Sequence, residues 1–277
     1  MKRRKFITFA GGVAAAWPLA AGAQQADRVR RIGVLMGVAE DAEGKARVRA
    51  FQEAIGKLGW AEGRNLHVEY LWAAGDANLV KSHAAKLVGT APDLILANST
   101  PVVAALMQMT TTIPIVFAQV FDPLGSGLVA SLARPGANVT GFTNFEFSMS
   151  GKWLEILKEI APSITRVAIL FNPETATYAP SLLRPVEAAA AQFGIVLSTS
   201  PVRSAVGIDS AIDTFARAGN GGLIVLPDAF TSAHLQRLVA AAARHNLPAN
   251  YTYRLYATAG GLISDGADNV DLDGAAA

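Results

Sequence analysis

Two α/β lobes in tandem, each a parallel sheet wrapped by helices, are what this sequence of 277 residues predicts. Three observations carry that expectation. Short β-rich runs alternate with amphipathic helical patterns along the chain. Several runs are almost continuously apolar (Ile32–Met36, Leu94–Ala97, Pro114–Ala118, Val167–Phe171, Gly222–Leu226). Such runs suit strands buried on both faces of a parallel sheet. Finally, there is a weak internal repeat. Arg31–Met36 resembles Arg166–Phe171, and Asp93–Asn98 resembles Gly222–Pro227. Two similar halves explain this better than one long sheet, with the boundary near Phe145–Ser150.

Taken in order, the predicted strands are Arg31–Met36, Asn65–Trp72, Asp93–Asn98, Ile113–Gln119 and Val139–Asn144 in the first half. Arg166–Phe171, Ile195–Thr199, Gly222–Pro227 and Pro248–Tyr253 follow in the second. Lys45–Leu58 reads as a helix because Val48, Phe51, Ile55 and Leu58 recur at helical spacing. Val80–Val88, Val102–Met109, Gly151–Ile160, Leu182–Phe193, Ile208–Ala218 and Ala233–His245 behave similarly.

Composition narrows the classes. With 51% apolar and 17% charged residues, the chain is too apolar for disorder and too poor in charge for a coiled coil. There is no cysteine, which excludes disulfides, Cys–zinc sites and thiol catalysis. The formal charge of +2 belongs to the leader, where Lys2, Arg3, Arg4 and Lys5 precede any acid. Without residues 1–23 there are 20 basic against 22 acidic residues, so the body carries no footprint for nucleic acid.

Residues 1–23 read as a secretory signal peptide. A positive start is followed by an apolar stretch from Phe6 to Leu19 and small residues at Ala21-Gly22-Ala23. Arg3-Arg4-Lys5-Phe6-Ile7 has the form of a twin-arginine signal. The apolar run is short and broken by Gly and Pro, so stable membrane insertion is not expected. The mature chain is expected in the periplasm.

In open α/β sheets ligands sit beyond the carboxyl ends of the strands. Ser99 and Thr100 follow the third strand, where either can cap a helix whose N-terminus favours an anion. Asp122 follows the fourth strand, where it can hold an ammonium or simply occupy a turn before Pro123. Thr143 ends the fifth, close to the lobe crossing. Asn172 and Asp228 stand at the matching ends in the second half. Tyr251, Tyr253 and Tyr256 can stack on a ligand or serve as half-buried aromatics. Hydroxyls, amides, carboxylates and aromatics suit the grip of a small zwitterion.

Reactive chemistry is not evident. His67, His83, His234 and His245 have no metal-ligand spacing. There is no phosphate-binding glycine loop, no G-x-G-x-x-G after the first strand and no G-x-S-x-G elbow. Asp268–Gly274 has only a superficial likeness to a calcium loop and lacks the closing Glu. No catalytic residue, metal or cofactor is assigned.

Five ordered blocks carry a family resemblance: Arg30–Met36, Ala50–Leu66, Asp93–Pro101, Ile113–Pro123 and Leu132–Thr143. Together they resemble the extracytoplasmic substrate-binding proteins of ABC transporters, in the aromatic-amino-acid-binding-like group. The resemblance runs from Arg30 to about Ser264. It implies a type I periplasmic-binding fold of two Rossmann-like lobes joined by three crossovers, with a ligand trapped by lobe closure. Residues 28–145 plus about 257–277 would form the first lobe, and 146–256 the second. The implied ligand contacts are Ser99, Thr100, Asp122, Thr143, Asn172, Asp228 and Tyr256. The implied ligand is an amino acid or related compound, and the implied partners are a permease and an ATPase.

One departure stands out. Relatives continue past the Ala259–Gly266 block with elements that complete the first lobe, whereas only Ala267–Ala277 follow here. A truncated or frameshifted C-terminus is therefore expected. The expected function is periplasmic solute capture by hinge closure, not catalysis. A ligand sensor of the same fold is the alternative. An exported α/β enzyme would have only Asp122 and Asp228 as raw material.

Overall fold

The computed structural model describes residues 28–143, 147, 149–266 and 275–276. The segment read as a leader, much of the proposed crossing near 145 and the acidic segment 268–274 lie outside them.

The first lobe runs β1 (Arg30–Met36), α1 (Ala42–Lys57), β2 (Leu66–Trp72), α2 (Ala77–Gly89), β3 (Leu94–Asn98), α3 (Thr100–Met107), β4 (Ile115–Ala118) and β5 (Val139–Phe142). Its five strands are parallel in the order β2-β1-β3-β4-β5. The second lobe runs α4 (Met149–Ile160), β6 (Arg166–Phe171), α5 (Ala179–Phe193), β7 (Val196–Pro201), α6 (Ala205–Ala216), β8 (Gly221–Val225), α7 (Ala229–Ala233), α8 (Leu235–Arg244), β9 (Ala249–Tyr251), α9 (Arg254–Thr258) and β10 (Ile263–Ser264). Its strands are also parallel, in the order β10-β9-β8-β6-β7.

Each sheet buries both faces, and period-two alternation divides its residues. In β1, Leu35 faces α2 and α3 beside Leu87, Val102 and Leu106. Val34 and Met36 face α1 beside Phe51 and Ile55. In β6, Val167 and Ile169 meet Trp153, Leu157 and Leu182, while Ala168 and Leu170 meet Ile208 and Leu238. Several helices begin where short polar side chains satisfy free backbone donors. Asp41 accepts from Gly44 N (2.8 Å), and Asp76 accepts from Asn78 N (2.7 Å).

The C-terminal segment is not where sequence placed it. Residues from 257 were expected on the first lobe, yet Ile263–Ser264 pair with β9 as the fifth strand of the second sheet. The edge of β9 is buried, and its backbone groups need partners there. β10 supplies them, and Asp265 N donates to Tyr251 O (3.0 Å) just beyond it. Trp153 Nε1 then fastens the carbonyl of Asp265 (3.1 Å). The chain touches the first lobe again at Ala276, packed on the Val34–Met36 side of the sheet.

Candidate binding site between the lobes

The carboxyl ends of strands from both sheets meet at one small cavity. Asn98 and Ser99 reach it from β3, and Gln119 and Phe121 from the segment after β4. The second lobe brings Thr175, Tyr178, Asp228 and Tyr253, and Arg47 enters from α1. The space left is about 20 Å³, room for roughly one water molecule. Small-molecule pockets start near 300 Å³, so the two walls must part before a solute can sit between them.

Closure is held by direct contacts. Phe121 of the first lobe sits within the apolar core of the second. Its ring stacks on Tyr178, with centroids 4.3 Å apart and planes 19° from parallel. Ser181 on α5 donates to Asp122 Oδ2 (3.1 Å). Gly75 lies against the backbone of Phe230, where an added Cβ would meet Phe230 Cα at 2.8 Å. Its φ of +75° likewise requires glycine.

The seven residues expected to hold ligand divide by what their polar atoms do. Ser99 lines the cavity with φ +90° and makes no side-chain cap to α3. Asp228 also lines it. Its carboxylate accepts from Thr231 N (2.7 Å), Thr175 Oγ1 (3.1 Å) and Asn172 N (3.1 Å). Burial pushes its pKa up to about 6, and these donors only partly offset that effect.

The other five stand outside the cavity lining. Thr100 Oγ1 accepts from Phe121 N (3.0 Å) and donates to Phe121 O (3.2 Å), so its hydroxyl is spent on posing the Phe121 backbone. Asp122 is an interlobe contact and caps its own turn through Gly125 N (2.6 Å). Thr143 is exposed and donates to Val120 O (2.8 Å). Asn172 turns its side-chain oxygen to Glu174 N (2.8 Å). Tyr256 belongs to the second-lobe core, its ring stacked on Tyr251 at 4.7 Å. A large aromatic there is taken up by packing, and of Tyr251, Tyr253 and Tyr256 it is Tyr253 that reaches the cavity.

Arg47 is the residue that sequence reasoning passed over. It is 3% exposed and shares a helix face with Phe51 and Ile55. The spacing 47-51-55 was legible; an arginine in an apolar stripe was the signal. Its Nη1 donates to Gln119 Oε1 (2.5 Å), and its Nη2 pairs with Glu43. Nε has no hydrogen-bond partner, nor has Nδ2 of the buried Asn98. Gln119 and Asp122 join Ser99 in the left-handed region, with φ of +57° and +45°. Backbone strain of this kind clusters at functional sites. Among the described residues no group of three potential metal ligands occurs, and no helix is long and apolar enough to cross a membrane.

Two lobes of one topology, joined around a polar cavity, define a clamshell-type binding protein of the periplasmic-binding class. The chain belongs to the ABC transporter substrate binding protein family, whose model matches residues 31–277. A tyrosine-binding protein of Clostridioides difficile is 33% identical over 143 residues, which are 52% of this chain and 41% of that protein. Among solved structures, a conserved domain protein from Vibrio cholerae is 28% identical with a TM-score of 0.82. That match covers 90% of this chain and 82% of the other. A Streptococcus ABC domain in complex with L-Trp has a TM-score of 0.79 at 22% identity, covering 89% and 82%.

Proposed function

We propose that this chain is the solute-binding subunit of an ABC importer. It captures an amino acid or a related small molecule between its lobes and delivers it to a permease and ATPase pair. The observation that carries this reading is the cavity itself, where a buried cation from one lobe and a buried carboxylate from the other line the same space. The family and the tyrosine-binding relative support it. A solute bridging both walls binds the closed form better than the open one and shifts the population toward it. Asp228 takes the amine, and the aromatic rings of Tyr253 and Phe121 flank the remainder. The site is built to grip; no catalytic step is assigned. Residues 1–23 direct export to the periplasm, with Arg3-Arg4 as a twin-arginine signal. The ligand-sensor reading shares this site, and no observation favours it.

The test is a thermal-shift screen of the mature chain against amino acids, amines, sugars and carboxylic acids. Hits are followed by small-angle scattering with and without the compound. A raised melting point together with a smaller radius of gyration is expected. No shift from any compound would sink the reading.

A further inference from the structure

We propose that Arg47 and Asn98 form the carboxylate-recognising end of the cavity, and that Glu43 is a resident carboxylate which the ligand displaces from Arg47. This rests on the solute-binding reading above and names the chemical group that reading leaves open. A guanidinium has a fork edge made by Nε–H and one Nη–H, which receives both oxygens of a carboxylate. Of the buried Arg47 donors, Nη1 is committed to Gln119 and Nη2 to a single oxygen of Glu43. Nε has none. A carboxylate that takes Nε and Nη2 together makes two charge-assisted bonds where Glu43 makes one.

The surroundings agree with that assignment. Asn98 is 1% exposed and adds an amide nitrogen without a partner on the same wall. Ser99 leaves the α3 N-terminus without a side-chain cap beside it. The first-lobe wall therefore presents unmet donors, whereas Asp228 on the facing wall already accepts three. An anionic group belongs on the first-lobe side, and an amine on the other. Glu43 also borders a wider groove of about 540 Å³ outside the cavity. Its side chain is 25% exposed, so it can swing to water when displaced. The pair then acts as a filter. Neutral groups that offer one weak bond leave Glu43 in place, and carboxylates remove it.

The experiment is calorimetric titration with paired probes: phenylalanine, tyrosine, tryptophan and leucine, each as the free acid and as its carboxamide. The wild type should bind acids at least about tenfold tighter than amides. Arg47→Met should weaken acid binding about 10- to 100-fold and amide binding far less, so that the preference for acid over amide collapses. Arg47→Lys, which keeps the charge and loses the fork, should fall between; it also covers the case in which the Met variant does not fold. Glu43→Gln should tighten acid binding about two- to fivefold. Equal affinity for acid and amide, or full acid affinity in a folded Arg47→Met, would overturn the proposal. So would weaker acid binding in Glu43→Gln. Binding of sugars or amines alone would overturn it while the solute-binding reading stands; no binding by any compound removes both.

Discussion

Numbered within each lobe, the two sheets have one strand order, 2-1-3-4-5, because β7-β6-β8-β9-β10 repeats β2-β1-β3-β4-β5. At the end of the third strand they part. In the first lobe Ser99 sits in the left-handed region and leaves α3 without a side-chain cap. In the second, Asp228 has extended backbone and closes a capping box with Thr231. One lobe thus offers donors to the cavity and the other a carboxylate. A repeated topology supplies the frame; single residues at equivalent strand ends give the site its dipole.

The lobes also differ in what they lend each other. The first sends Phe121 into the core of the second. Phe121→Ala should therefore cost about 3–5 kcal/mol, the range for emptying a buried aromatic site. Hydrogen exchange should rise in α5 of the second lobe, although the substitution lies in the first. Loss of protection confined to β4 would break the comparison.

Asp228 gives the next largest effect, and its sign is unusual for a carboxyl group. Its pKa in the folded chain is about 6 against an ordinary 3.8, so the native state holds the proton more tightly than the unfolded chain. The stabilising contribution is full below the ordinary value and is lost as pH rises through 6, about 3 kcal/mol in all. Asp228→Asn should remove that slope, read from denaturation midpoints at pH 4.5 and 7. An unchanged slope would show that Asp228 is not the titrating group.

Thr100→Val removes the hydroxyl that serves both backbone groups of Phe121 and leaves a buried N–H unmet, at a cost of about 1–3 kcal/mol. The loss, read from denaturation midpoints, should persist in a Phe121→Gly background, because the groups left unmet belong to the backbone. The smallest effect is expected from Ser181→Ala, about 0.5–1.5 kcal/mol, because Asp122 remains half-exposed to water. Small-angle scattering of the unliganded variant should show a larger radius of gyration than wild type; an identical radius would remove this contact from closure.

Much of the frame was legible from residues alone. The apolar runs set the central strands, and period-two alternation set their two faces. β4 came out shorter than expected, Ile115–Ala118 rather than Ile113–Gln119, because Pro114 has no N–H for the ladder and Gln119 is left-handed. β10 was missed: two residues carry no periodicity. The site was read less well. Thr100, Thr143 and Asn172 were plausible grips by type and position, yet each spends its polar side-chain group on nearby backbone. Side chains of this kind bind backbone or ligand with equal chemical ease, and spacing does not distinguish the two.

Sequence by itself determined the two-lobed α/β class, the family, and that strand-end residues of both halves would face a shared space. The class and the shared space follow from local patterns of burial, which each segment carries within itself, and the family from the likeness of five ordered blocks. Tertiary structure alone decided that Arg47 and Asp228 share one cavity, that Phe121 crosses into the neighbouring lobe, and that the C-terminal strand joins the second sheet. Those outcomes depend on which donors and acceptors remain unmet once the segments meet, a balance no single segment contains.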